Sequence, residues 1–295
     1  MDSAGKCPWR FEVVCYSMTV VPLSSVSCPA SAPSGNYSLP WRATGDATAD
    51  LPSWVALQQQ QGASLASASV PVNSGCIGEA LAQAAFNAFS TALGELDGPV
   101  TRVWAFLPMI TAADADGLDR YMRMNIGRAR AYRQTRFPLP FMPAGTCVGH
   151  AGDSLVVHAM TVPGAVRPIE NARQVPAWQY STKFGPSAPP FTRAVVTEHV
   201  LMASGTAAVV GEEVVHRDDV DAQWRETVRH LATLRTAAEA RGPWRSVQVY
   251  VRDQADISTV TRLAQHEFSG GLERVLHAPL CRDALLVEVE AIADV

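Results

Sequence analysis

Hydrophobic and polar positions form their clearest pattern from Cys76 onwards. Ile77 to Leu96 is rich in Ala and Leu at helical spacing, and Asp97-Gly98-Pro99 ends the helix that this spacing predicts. Val100 to Leu107 alternates like a strand, and Asp114 to Tyr132 returns to helical spacing. We therefore expect a helix, a strand and a second helix in this part of the chain.

The same order recurs nearer the C-terminus. Val220 to Ala240 predicts a helix, Ser246 to Val251 a strand, and Ile257 to His266 a second helix. Aligning Gly98-Pro99 with Gly242-Pro243 superposes both strands and both following helices. This coincidence predicts an internal repeat. Two unrelated αβ units remain the alternative.

Each repeat closes with a Val-rich segment, at Asp153 to Thr161 and at Ala284 to Ile292. We predict an α+β fold of two αβ units, residues 1–160 and 161–295, each with helices packed on one face of a mixed β-sheet. In this pseudo-symmetric arrangement the functional site is expected at the interface of the units. Residues 29–75 are rich in Pro, Ser, Ala, Gly and Gln and predict short strands joined by loops.

Composition narrows the class of protein. Of the 295 residues 47% are apolar and 18% are charged, which is typical of a globular chain with a large core. A net charge of −4 gives no reason to expect nucleic acid, so an anionic ligand would need local arginines. No apolar run approaches the ~20 residues that span a bilayer, and Met1 to Arg10 lacks the pattern of a signal peptide. We expect a cytoplasmic protein without membrane contact.

Cysteine and histidine spacing gives no sign of a bound metal. The six cysteines are scattered without a CxxC pair, and the seven histidines include no HExxH motif. We therefore expect buried free thiols, and neither a metal nor a disulfide framework.

Three stretches carry a resemblance to a known family: Tyr121 to Tyr132, Glu170 to Ala194, and Ser204 to Ala207. Their order and spacing resemble the chorismatases, which split chorismate into pyruvate and either a dihydroxycyclohexadienoate or a hydroxybenzoate. Leu280 to Ala293 is similar to the closing strand of YjgF-like deaminases, whose fold the chorismatases share. The resemblance implies YjgF-like units and an enzyme that acts on chorismate without a cofactor.

The resemblance also implies that Tyr121, Arg128, Tyr180 and Arg193 bind the substrate, with Arg173 as a further candidate. Arginine suits two carboxylates because its guanidinium donates two parallel hydrogen bonds and keeps its charge. Tyr121 and Arg128 are seven positions apart on a predicted helix, close to two turns. We therefore expect both side chains on the same side of that helix.

Two carboxyls are candidates for the catalytic acid. Glu288 lies in the apolar strand Leu285 to Ala291, where burial would raise the pKa of its carboxyl toward working pH. Strand alternation places Glu290 on the same face, so periodicity leaves both open. The resemblance selects Glu288, in the C-terminal unit, as the acid that protonates the methylene carbon of the enol ether.

Cys281 bears on the product. In the chorismatases a Cys at the matching position, together with an opposing Gly, accompanies formation of 3-hydroxybenzoate without net consumption of water. Gly211 and Ala194 are our candidates for the opposing small residue. Attack by water would instead give 3,4-dihydroxycyclohexa-1,5-dienoate, and a mixture of 3- and 4-hydroxybenzoate is a further alternative.

Two other function classes stay open. One is a YjgF-like imine deaminase, and the other is a small-molecule binder that has lost the acid. The predicted repeat favours a monomer, because one chain then supplies the interface that small YjgF-like proteins make between subunits.

Overall fold

The structure is a computed structural model that describes residues 41–135 and 141–295. Its helices are α1 (Ala47–Asp50), α2 (Trp54–Gln60), α3 (Gly78–Gly94), α4 (Arg120–Gln134), α5 (Val220–Ala238) and α6 (Ile257–Glu267). Its strands are β1 (Ser64–Pro71), β2 (Val100–Pro108), β3 (Ala144–His150), β4 (Ser154–Thr161), β5 (Arg167–Ile169), β6 (Ala194–Val196), β7 (Val200–Ala207), β8 (Val209–Val210), β9 (Glu213–Val214), β10 (Trp244–Val251), β11 (Leu272–His277) and β12 (Val287–Asp294).

The first sheet has the strand order β1-β4-β2-β3. β4 runs antiparallel to β1 and β2, whereas β2 and β3 are parallel. β2 is buried along its whole length instead of on alternate residues, because apolar cores cover both of its faces. α3 and α4 pack closely on one face. Their contact depends on Gly127, since a Cβ there would lie 2.1 Å from the Ala82 carbonyl oxygen.

The second sheet has the strand order β11-β10-β12-β7-β6-β5. Within it, β7, β12, β10 and β11 repeat the order and the directions of β1, β4, β2 and β3. α5 and α6 stand at the chain positions of α3 and α4. Strand pairing keeps the predicted alignment too, since Trp104 faces His158 as Gln248 faces Glu290. The α+β class and the pseudo-symmetric repeat are confirmed.

The two sheets share an apolar core that includes Trp104, Phe106, Met202, Tyr250 and Ile292. A parallel bridge between residues 144 and 192 joins the sheets directly. The predicted division between residues 160 and 161 falls at the end of β4, and it stays a prediction.

Some predicted bounds were wrong. α4 begins at Arg120, not at Asp114, because Asp119 caps it by accepting a hydrogen bond from Met122 N at 2.7 Å. β12 begins at Val287, three residues after the predicted start. The prediction of strands and loops was also wrong for residues 47–60, most of which form α1 and α2. Residues 29–40 lie outside the described ranges.

None of the helices in the described ranges is long and apolar enough to cross a bilayer. Cys76 and Cys147 are buried, Cys281 is half-buried, and none of these three forms a disulfide. Cys7, Cys15 and Cys28 lie outside the described residues.

Candidate active site

Glu288 is a buried carboxyl in the middle of the second sheet. β12 lies between β10 and β7, and only 4% of Glu288 is exposed. Burial first, and then the nearby charge of Glu290, raise the pKa of Glu288 to about 8, although Arg102 acts in the opposite direction. Within the described part of the chain, no donor forms a hydrogen bond with this carboxyl. At neutral pH Glu288 therefore carries its proton.

Gly205 makes the space that the Glu288 carboxyl occupies. A Cβ on this β7 residue would lie 1.9 Å from Glu288 Oε1 and 2.9 Å from Cδ. Glycine inside a strand often marks such a close approach. The sequence carries this signal for a close sheet contact, although Gly205 was not among the predicted site residues. Gly205 N is itself fixed by a hydrogen bond to Thr146 Oγ1 at 3.1 Å.

Glu290 has a different environment from Glu288. It forms a buried ion pair with Arg102 of the first sheet. Hydrogen bonds to its carboxylate come also from Trp104 Nε1 at 2.8 Å, Thr146 Oγ1 at 2.7 Å, Gln248 Nε2 at 3.0 Å and Tyr250 OH at 2.9 Å. These donors come from β2 and β3 of the first sheet and from β10 of the second, so Glu290 is a structural link between the sheets.

Arg128 of α4 is a buried cation with spare hydrogen-bonding capacity. It is 2% exposed, and its Nε donates to Tyr132 OH at 3.1 Å. Its Nη2 has no hydrogen-bond partner within residues 41–135 and 141–295. Gly145 leaves room for it, since a Cβ there would lie 2.9 Å from Nη2. A buried guanidinium with an unused donor is suited to receive an anion.

Tyr121 and Arg128 lie on the same side of α4, close enough for the charge of Arg128 to act on the Tyr121 hydroxyl. Burial raises the pKa of Tyr121, as do Cys281 and Cys147, while Arg128 lowers it. The predicted seven-residue spacing thus brings these two side chains together.

Cys281 and Glu288 are near enough to interact electrostatically. Burial raises the pKa of the Cys281 thiol to about 12, and the charge of Glu288 acts in the same direction. The pKa of Cys147 on β3 is also raised, first by burial and then by Cys281. Both thiols stay protonated at neutral pH, so they contribute shape to this cluster and not a nucleophile.

Arg193 and Tyr180 form a second group. Arg193 is 6% exposed, and its Nη2 donates to Tyr180 OH at 2.6 Å and to Val175 O at 2.8 Å. Its Nε lacks a hydrogen-bond partner in the described residues. Arg282, which the sequence did not single out, stacks on Tyr180 and on Phe184, with Cζ 5.0 and 3.9 Å from the two ring centroids. It lines a cleft of about 280 Å³ and is adjacent in sequence to Cys281.

Three of the further candidates lie elsewhere. Arg173 is 38% exposed and pairs with Glu226 of α5 at 2.6 Å. Gly211 has a φ of +61° and exchanges backbone hydrogen bonds with residues 173 and 175 in a turn. Ala194 belongs to the core that α5 covers, whereas Cys281 packs against the two other cores. The glycine next to Glu288 is Gly205, not Gly211.

The raised pKa of Glu288 predicts a pH-dependent stability. Between its ordinary value of 4.5 and about 8, the folded state keeps a proton that the unfolded state releases, so stability falls as pH rises. Relative to Glu288→Gln, the free energy of unfolding of the wild type should fall by about 1.4 kcal/mol per pH unit in this window. Urea unfolding from pH 5 to 8 measures this difference. Glu198→Gln, at an exposed position, is the control and should follow the wild type.

The fold and the cluster define an α+β protein of two pseudo-symmetric units with a neutral acid on the last strand. Comparison with known proteins gives the family. Residues 40–161 match the family model described as "Chorismatase FkbO/Hyg5-like, N-terminal". The chain is 31% identical over 213 residues to the 3-hydroxybenzoate synthase of Streptomyces hygroscopicus, covering 65% of this chain and 63% of that protein. It is also 31% identical over 219 residues to a chorismatase of Streptomyces rapamycinicus, covering 68% of this chain and 66% of that protein.

The crystal structure of a chorismatase superposes with a TM-score of 0.68 and 27% identity, covering 78% of this chain and 74% of the other. The chain belongs to the chorismatase family. It spans slightly less than two thirds of the length of the two curated relatives.

Proposed function

We propose that this protein is a chorismatase that converts chorismate to 3-hydroxybenzoate and pyruvate, with Glu288 as the acid and with the site between the two αβ units. The observation that carries the proposal is the environment of Glu288. This carboxyl is buried, and its pKa is raised to about 8. No donor in the described residues forms a hydrogen bond with it. A neutral carboxylic acid in that state is a proton donor at physiological pH.

Two guanidinium groups match the two carboxylates of chorismate. Arg128 and Arg193 are both buried, and each has a nitrogen without a hydrogen-bond partner in the described ranges. A buried, unused donor is costly, so a carboxylate that accepts from it stabilises the complex. Tyr121 and Tyr180 lie beside these arginines and supply hydroxyl groups for orientation.

Proton transfer from Glu288 to the terminal methylene carbon of the enol ether converts that carbon to a methyl group and leaves an oxocarbenium ion. If the neighbouring ring hydroxyl then displaces pyruvate, its oxygen bonds to the ring carbon, its proton passes to Glu288, and the ether bond to the ring breaks so that the ether oxygen becomes the carbonyl oxygen of pyruvate. Loss of a ring proton and protonation of the bridging oxygen give the aromatic hydroxybenzoate. No water is consumed in the sum. If water attacks the oxocarbenium carbon instead, pyruvate leaves with the ring diol as its partner.

The direct test is to incubate the purified protein with chorismate, to measure pyruvate, and to identify the second product by liquid chromatography and mass spectrometry. Equal amounts of pyruvate and 3-hydroxybenzoate support the full proposal. Release of pyruvate together with the dihydroxycyclohexadienoate would agree with Glu288 as the proton donor. It would reject displacement of pyruvate by the ring hydroxyl. Failure to release pyruvate would reject the proposed activity.

Cys281→Ala is predicted to shift the product ratio toward the dihydroxycyclohexadienoate, because a smaller side chain beside Glu288 admits water to the cation. Total pyruvate release should change by less than about tenfold, since the thiol donates no proton in the mechanism. Cys76→Ala, in the core beneath α3 and α4, is the control and should leave the ratio unchanged. An unchanged ratio in Cys281→Ala would remove this residue from product selection.

A further inference from the structure

Ser67, His158 and Asp50 form a hydrogen-bonded chain that the proposed chorismatase chemistry does not use. They come from β1, β4 and α1. Ser67 Oγ lies 2.7 Å from His158 Nδ1, and His158 Nε2 lies 3.2 Å from Asp50 Oδ2. His158 and Asp50 are fully buried, whereas Ser67 is exposed. A hydroxyl at the surface is thus connected to a buried carboxyl through both nitrogens of one imidazole.

The partners of Asp50 determine where the protons lie. Its carboxylate accepts hydrogen bonds from Thr44 N at 2.7 Å, Thr44 Oγ1 at 3.0 Å and Gly45 N at 2.8 Å. Burial acts to raise the pKa of Asp50, but these bonds and the one to His158 outweigh it and hold the pKa below its ordinary value. Asp50 is therefore ionised and can only accept, so Nε2 of His158 carries the proton. In the neutral imidazole Nδ1 then has a free lone pair, and the Ser67 hydroxyl donates to it.

We propose that Ser67, His158 and Asp50 form a second nucleophilic site, which accepts the acyl group of small carboxylic esters. A hydroxyl nucleophile, an imidazole base within hydrogen-bond reach and a carboxylate that orients the base are the three parts that acyl transfer by serine requires. In the usual serine triad the serine faces Nε2 and the carboxylate faces Nδ1, whereas here Ser67 faces Nδ1 and Asp50 faces Nε2. The chemistry is the same, because either nitrogen acts as a base when the other carries the proton.

In the first step, Ser67 Oγ forms a bond to the ester carbonyl carbon while its proton passes to His158 Nδ1. The ester C–O bond then breaks, and the alcohol leaves with that proton. Water attacks the acyl-serine, the carboxylic acid departs, and Ser67 regains its hydrogen. Asp50 stabilises the imidazolium that exists between these transfers.

The position of Ser67 limits the kind of ester. β1 is the outer strand of its sheet in the described part of the chain, so alternate N–H groups point away from β4 and can donate to a developing oxyanion. His158 is shielded by the edge of the Phe106 ring, with centroids 5.9 Å apart. An exposed serine with a dry base behind it suits small, activated esters that approach from solvent.

The test uses a fluorophosphonate probe and p-nitrophenyl acetate with the full chain. Intact-protein and peptide mass spectrometry should find one phosphonate adduct, on Ser67, and p-nitrophenol should appear in a burst of about one equivalent per chain. Ser67→Ala should abolish both signals. Ser69→Ala, two residues along the same exposed face of β1, is the matched control and should retain both.

The variant Asp50→Asn distinguishes a catalytic role of this hydrogen-bonded chain from a purely structural one. The amide offers a donor or an acceptor to Nε2 and removes the anion, so the labelling rate should fall by about 10²–10⁴-fold in a protein whose circular dichroism is unchanged. If Asp50→Asn does not fold, His158→Gln replaces it with the same expectation. Glu288→Gln should be labelled at the wild-type rate. Labelling that persists in Ser67→Ala, or a folded wild-type protein that forms no adduct on Ser67, would overturn the proposal.

Discussion

Replacing Glu288 by glutamine is expected to lower kcat for pyruvate release by about 10²–10⁴-fold, or to abolish it, while chorismate still binds. Glutamine keeps the shape of the side chain and removes the proton that the proposed mechanism transfers to the enol ether. The site is already adapted to an uncharged group, because burial and Glu290 raise the pKa of Glu288 to about 8. The loss should therefore appear in kcat and not in the dissociation constant, which isothermal titration with chorismate measures separately.

The pH dependence gives an independent check. With Glu288 as the acid, turnover should decline as pH rises through about 8, since the carboxyl then loses its proton. Glu288→Asp is the informative intermediate, because it keeps an acid but withdraws it from the reacting carbon. Pyruvate release by Glu288→Gln at the wild-type rate would show that another group donates the proton.

Gly205→Ala is expected to reduce kcat by about 10²-fold with a small change in the free energy of unfolding. The new methyl group would lie 1.9 Å from Glu288 Oε1, so one of the two must move. The carboxyl is the end of a flexible side chain and moves more easily than the backbone of β7. A displacement of about 1 Å at the reacting group is enough for such a loss in rate.

Gly270→Ala is the matched control, because a Cβ at that exposed glycine would meet nothing within 4 Å. The double variant Gly205→Ala/Glu288→Gln should be no slower than Glu288→Gln alone, since both changes act on one proton transfer. Full activity in Gly205→Ala, or losses that multiply in the double variant, would mean that Gly205 does not act through Glu288.

Elements with strong periodicity were predictable, and elements defined by loop contacts were not. Helices α3, α5 and α6 follow from apolar spacing within each segment. The start of α4 could not be predicted from this spacing, because residues 114–118 form a turn in which Asp114 N donates a hydrogen bond to Leu118 O at 2.8 Å. α1 also depends on a cap, where Asp46 accepts from Thr48 N at 2.9 Å, in a region whose composition suggested loops.

The candidate site shows the same limit. Burial of Glu288 and the common side of Tyr121 and Arg128 follow from local spacing. The different environments of Glu288 and Glu290 do not follow from local spacing, because donors to Glu290 come from residues up to 188 positions away, in the first sheet. The ion pair of Arg173 likewise joins one of the motif stretches to Glu226, 53 positions further along the chain. Side chains that take their partners from a distant segment cannot be assigned from one segment alone.

The duplicated strand pairing gives positions on β2 and β4 of the first unit equivalents on β10 and β12 of the second. Val156 stands across from Phe106 as Glu288 stands across from Tyr250, so the first unit has an apolar side chain where the second has its acid. An assembly of identical subunits would repeat the carboxyl at each related position and bear its desolvation every time. Because both halves belong to one polypeptide, only one of the two equivalent positions needs to carry the buried carboxyl. We therefore expect each chain to bind a single molecule of chorismate.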